Sequence, residues 1–210
     1  GDQIAPEPVE GGADRGADDD DGEPDLRIEI LADVEVGAFA HRTAIDSAVG
    51  ADRMTEDYTA AANAQTVWVD DAVPSGAALG TAGGDGWTWV GSNPTPFSRG
   101  LAHQSAIAAG AHQHVFSNAT KMQVATGDDL FTYVYLDPAN PPTEVMLQWN
   151  DGSWEHRAYW GSNQLTAWGV DGTASRRYMG VLPPLGQWVK LSVPAAAVGL
   201  EGRTLSGMAF

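Results

Sequence analysis

The sequence predicts an all-β fold, on three observations. From residue 66 onward, short apolar and aromatic runs follow one another, none long enough for an ordinary helix. Turn-forming pairs (Gly-Asp, Asp-Pro, Pro-Pro and Asp-Gly) separate them. All eight tryptophans lie between Trp68 and Trp188, which marks where the folded module sits.

The runs, in order, are TVWV (66–69), WTWV (87–90), AHQSAI (102–107), HQHVF (112–116), KMQVA (121–125) and LFTYVYL (130–136). EVMLQW (144–149), SWEHRAY (153–159), QWVKLSV (187–193) and LSGMAF (205–210) complete them. Many short strands at this spacing argue for a sandwich or barrel. VPAAAVGLEG, after the QWVKLSV run, predicts one tight helical turn before the next strand. LSGMAF still reads as a strand where it stops, so the expectation is a module lacking its last strand.

The stretch QWNDGSWEHRAYWG carries the most specific local signal. Asp-Gly between two strand-like runs predicts a two-residue hairpin loop at Asp151 and Gly152. That register sets Trp149 opposite Trp154 and Gln148 opposite Glu155. Side chains alternate across a sheet, so one face carries Val145, Leu147, Trp149, Trp154, His156 and Ala158, the expected core side. The other carries Glu144, Met146, Gln148, Glu155, Arg157 and Tyr159. Gln148, Glu155, Arg157 and Tyr159 supply planar polar groups and an aromatic ring, the side-chain types that hold a sugar. A solvated outer face with a weak Glu-Arg ion pair is the equally open alternative. Trp160 and Trp168 flank a Gly-, Ser- and Asn-rich loop and are the tryptophans expected to be exposed, which adds Trp160 to the candidate ligand residues.

Charge excludes one class of partner. The formal net charge is −17, and residues 1–25 hold ten acids against one arginine, so −9 of it lies there. An acidic chain repels phosphate backbones, so no nucleic-acid partner is expected. No apolar run approaches the roughly 20 residues that span a bilayer, so no membrane insertion is expected. The sequence has no cysteine, which removes disulfides, thiolate metal sites and thiol nucleophiles. No basic region followed by an apolar stretch opens the chain, as expected of a mature or excised segment.

Residues 1–25 are rich in Gly, Pro and acids and cannot bury enough surface to offset their ordering entropy, which predicts a disordered acidic linker. DDDDGEPD does not make a calcium loop: counting back from Gly22, alternate positions give Asp21, Asp19 and then Ala17. Residues 26–65 contain one strand-like run, LRIEIL, and an alanine-rich stretch without a clean apolar stripe. They read as a lead-in or the remnant of a preceding domain.

Asp70 and Asp71 end the first run and are the candidate metal ligands: paired carboxylates at a strand end could hold a structural calcium ion, or could begin a turn. His112 and His114 share a strand face with Phe116. A metal site built on such a pair wants a glutamate shortly afterwards, and Val115 to Thr120 supply none. His103, His112 and His114 are therefore expected to be hydrogen-bonded structural histidines. Glu144 and Glu155 have the spacing for glycoside hydrolysis, but Arg157 beside them would hold both carboxyls ionised, whereas a general acid needs the opposite shift. No catalytic residue is expected.

VWVDDAVPSGA, AHQS…HQHVF, YVYLDPANPPTEVMLQWNDGSWEHRAYWG and GQWVKLSVPAAAVGLEGRTLSGMAF carry a resemblance over about two thirds of the chain. The stretch resembles a recurrent accessory module of bacterial multidomain secreted and cell-surface proteins. It is similar to jelly-roll carbohydrate-binding and galactose-binding-like domains. The resemblance implies a two-sheet antiparallel jelly-roll β-sandwich over residues 66–210 behind an acidic tail. It also implies an extracellular or surface location, attachment to other domains of the same polypeptide, and a polysaccharide or glycan partner. A spacer or adhesion domain without its own ligand is the alternative, and a metal- or carboxylate-dependent enzyme stands third. The resemblance supplies no binding residue.

Overall fold

The computed structural model describes residues 31–40 (as backbone), 65–83 and 85–210. The acidic linker expected over 1–25 lies outside the described residues, as does most of the 26–65 segment. The described residues form an all-β architecture of thirteen strands. In chain order they are β1 (Leu31–Ala40), β2 (Ala78–Ala82), β3 (Thr88–Val90), β4 (Ala102–Gln104), β5 (Gln113–Ser117), β6 (Met122–Gln123) and β7 (Asp128–Tyr135). Then come β8 (Glu144–Asn150), β9 (His156–Gly161), β10 (Arg177–Gly180), β11 (Trp188–Pro194), β12 (Thr204–Leu205) and β13 (Gly207–Ala209). The turn expected in VPAAAVGLEG is a 3-10 helix, Ala195–Val198, closed by Gly199 in the left-handed conformation. No helix among the described residues is long and apolar enough to cross a membrane.

Two larger sheets organise the chain. One has the order β11-β7-β1-β4-β3, the other β10-β9-β8-β13-β5-β2, and β12 and β6 form a small pair of their own. The 26–65 segment thus contributes β1 to the middle of the five-stranded sheet. Pairing is antiparallel except between β9 and β10, which run parallel. Leu130 and Val134 on β7 and Leu191 and Val193 on β11 are buried in the same core cluster as Phe116, Leu147, Trp149, Ala158 and Met208 of the six-stranded sheet. Period-two alternation explains the selection: on β7 and β11 these are every-second or every-fourth positions.

The hairpin corrects one expectation. Trp149 pairs with His156, Gln148 with Arg157, Leu147 with Ala158 and Val145 with Trp160, two residues away from the register of a two-residue loop. Side chains build the wider turn. Asn150 Oδ1 accepts the Gly152 N–H at 2.9 Å, and Asp151 Oδ1 accepts the Ser153 N–H at 3.3 Å. Such side-chain-to-backbone bonds substitute for the ladder a tight turn would continue. A slip of two preserves parity, so the facing of each residue on β8 and β9 survives. Trp154 does not: it is half-buried in the turn rather than opposite Trp149 in the core.

Candidate functional site

The outer face of β8 and β9 is roofed. The chain from Ser162 to Arg176 folds back over it, so the polar residues expected at the surface are enclosed. Glu144 is 0% exposed, Tyr159 3%, Gln148 6% and Arg157 7%. Trp160 was expected to be exposed, but alternation turns it to the opposite face from Tyr159. It lies in the core cluster, paired with Val145. Of the five candidate ligand residues, Glu155 alone keeps an exposed side chain.

Each roof contact is specific. Glu144 Oε2 accepts the backbone N–H groups of Gln164 at 2.6 Å and Leu165 at 3.0 Å. Tyr159 donates its hydroxyl to Asp171 Oδ1 at 2.8 Å, and the Arg176 guanidinium sits 5.3 Å from the centre of its ring. Burial first, then Asp171, pushes the Tyr159 phenol up to about 12. Arg157 donates to the Ser175 carbonyl at 3.1 Å. Gly169 permits this approach: its φ is +82°, and a Cβ there would strike the Ser175 backbone and come within 2.9 Å of Arg157 Nη1.

Beneath the roof a chain of planar groups crosses the sheet. Arg157 bonds Glu155 through Nη1 and Nη2 at 3.2 and 3.3 Å, and its Nε donates to Gln148 Oε1 at 2.8 Å. Gln148 Nε2 in turn donates to Gln113 Oε1 at 3.0 Å. That last bond runs from β8 to β5 across β13, where the residue opposite Gln148 is Ala209. Its single methyl leaves room for the two amides to meet above it. Gln113, Gln148, Leu165 and half-buried Trp168 line a recess at the edge of the roof, together with His112, Met146 and Phe210.

Burial pushes the Glu144 carboxyl above the ordinary carboxylate range, while the Leu165 and Gln164 N–H groups pull it back. A raised folded-state value means the native protein holds a proton that the unfolded chain has released, so stability falls as pH rises through that range. Glu144→Gln keeps an oxygen for the two N–H donors without the charge. Its melting temperature should exceed the wild type's at pH 8, with the advantage shrinking on acidification. A variant that melts lower at pH 8 would contradict this.

The other sequence candidates fall elsewhere. Asp71 Oδ1 accepts the N–H groups of Gly100 at 3.0 Å and Leu101 at 2.8 Å, and these bonds hold its carboxyl below the ordinary value. Asp70 accepts from Ser98 Oγ at 3.1 Å and pairs with Arg99. The two carboxylates thus clasp the 98–101 segment. His103 and His114 meet across the interior at 3.0 Å, and His112 lies 2.8 Å from Asp85. Among the described residues no three His, Asp or Glu side chains are arranged to hold a metal ion.

Sequence reasoning missed Gln113 as a neighbour of Gln148, and it missed Asp85. Neither has a local signal, because each acts through a contact more than 25 residues away. Trp168, expected to be exposed, is half-buried and packs against the core cluster. Comparison of the chain with protein-family models, curated proteins and solved structures finds no match.

Proposed function

We propose that this chain is a non-catalytic binding module of jelly-roll type, directed at carbohydrate. In this reading it serves other domains of a secreted or cell-surface protein. The observation that carries the reading is a small recess whose lining includes both Trp168 and the Gln113 and Gln148 side chains. Ligand sites combine an apolar or aromatic wall with a few fixed polar groups, and a tryptophan face fits the C–H face of a sugar ring. Gln148 is held from both sides, accepting from Arg157 and donating to Gln113. That orientation leaves the Gln113 NH₂ to donate to a ligand oxygen. Arg157 and Glu155 then act as positioning residues behind the amides. A polar group fixed before binding loses little freedom on binding.

Trp168→Ala should reduce retention on a glycan array at least tenfold, about 1.4 kcal/mol, while leaving the melting temperature within a few degrees of wild type. Equal retention by the variant would remove the recess from the account. A second reading, a spacer without its own ligand, draws on the internal pairing of Glu155, Arg157, Gln148, Gln113, Tyr159 and Asp171. It predicts that wild-type protein is retained by no glycan on the array.

A further inference from the structure

Asp85, His103, His112 and His114 make a buried chain of titratable groups that the ligand reading does not use. Asp85 lies between β2 and β3, His103 on β4 of the five-stranded sheet, and His114 on β5 of the six-stranded sheet. They are 3%, 0% and 2% exposed, and His112, just before β5, is 4% exposed. Asp85 Oδ1 accepts the Ala106 N–H at 2.9 Å. Its Oδ2 lies 2.8 Å from His112 Nδ1 and 3.1 Å from His114 Nε2. His114 Nδ1 lies 3.0 Å from His103 Nδ1. Trp87 covers the pair, its ring centre 4.8 Å from that of His103 and 5.0 Å from that of His114.

The proton positions follow from valence. An ionised carboxylate only accepts, so His112 Nδ1 and His114 Nε2 both carry hydrogens. A neutral His114 must then accept at Nδ1, which makes His103 Nδ1 the donor. The remaining nitrogens, Nε2 of His103 and of His112, are bare, and both are buried without a partner. The His112–Asp85 and His103–His114 hydrogen bonds are both satisfied with three neutral imidazoles and one carboxylate, while His114 Nε2 meets Asp85 as a 3.1 Å electrostatic contact without hydrogen-bond geometry.

We propose that this relay is an acid-sensitive tie between the two sheets, closed while the imidazoles are neutral and opened by uptake of a proton. A proton on His114 Nδ1 would face the His103 N–H across 3.0 Å. His103 could then accept only by moving its own hydrogen to Nε2, where nothing receives it. A proton on His103 Nε2 would be charged in an apolar enclosure of Trp87, Trp89 and Phe210.

Burial, and then the neighbouring His114, hold His103 well below the ordinary imidazole value of 6.5. Burial also lowers His114, opposed by Asp85 and the Gly86 carbonyl and assisted by His112. Asp85 and His112 are the titratable groups facing the tie, and Trp87, Trp89 and Phe210 carry no side-chain charge. The unfolded chain takes up protons near the ordinary value while the folded chain resists. Stability from the tie is therefore full above about pH 6.5 and declines as pH falls below it.

Nitrogen-detected NMR of ¹⁵N-imidazole-labelled protein at pH 7.5 reads the proton positions directly. The expected result is hydrogen on Nδ1 of His103 and His112 and on Nε2 of His114. From pH 7.5 to 5.5 the melting temperature should fall by roughly 2–4 °C, and His103→Gln, which cannot titrate, should lessen that fall. Hydrogen on Nδ1 of His114 at pH 7.5 would overturn the proposal, as would His103 and His114 titrating at the ordinary imidazole value. The NMR arm needs only wild-type protein, so a variant that failed to fold would leave the test intact.

Discussion

Trp149→Ala is expected to cost about 3–5 kcal/mol of stability, as other large-to-small aromatic replacements in packed interiors do. Trp149 is 0% exposed and is paired on β8 with Met208 of β13 and His156 of β9. The loss would leave a cavity between the strands that carry the middle of the six-stranded sheet. A loss of that size is a large fraction of what holds a single domain together. Thermal melts followed by circular dichroism should show either a drop of ten degrees or more or no cooperative transition. Trp154→Ala is the internal contrast. Because Trp154 sits half-buried in the turn, its loss should cost well under half as much. Equal costs would restore the tighter hairpin register.

Arg157→Ala should destabilise by about 2–4 kcal/mol, because the buried acceptor Gln148 Oε1 and the half-buried Ser175 carbonyl lose their donor together. The exposed ion pair with Glu155 adds little. From the sequence alone, a surface platform predicts the reverse: loss of ligand with an unchanged melt. The roof alters that expectation, since Arg157 pins the 162–176 segment to the sheet. Limited proteolysis should find cleavage within that segment in the variant before the rest of the domain is cut. A variant that melts like wild type, with the segment uncut, would mean the roof does not depend on this residue.

Alternation was legible because it is local. The facing of Leu147, Trp149, Gln148, Arg157 and Tyr159 follows from counting by two, and a register slip of two left it intact. It also placed Trp160 opposite Tyr159, a parity that the Gly-rich flank obscured. The register itself was not legible, because Asn150 and Asp151 compete for the turn through their side chains. Asp-Gly does not announce that competition. β2, ALGTA, was missed because all five of its residues are exposed and Leu79 is its one large apolar side chain, which leaves no alternation to read. β10, RYMG, was missed because an edge strand paired in parallel needs no apolar alternation. The roof depends on Glu144 reaching Gln164 and Leu165, and the His tie on Asp85 reaching His112. Contacts of that span leave no periodic trace in a sequence.

The binding reading rests on Trp168 meeting its ligand. The most direct test follows the tryptophan indole N–H resonances of the wild-type protein during titration with the oligosaccharide most strongly retained on the array. The account predicts that the Trp168 resonance shifts saturably while those of buried Trp149 and core-facing Trp160 stay in place. A Trp168 resonance that does not move while binding saturates, or the absence of any glycan that binds, would contradict it.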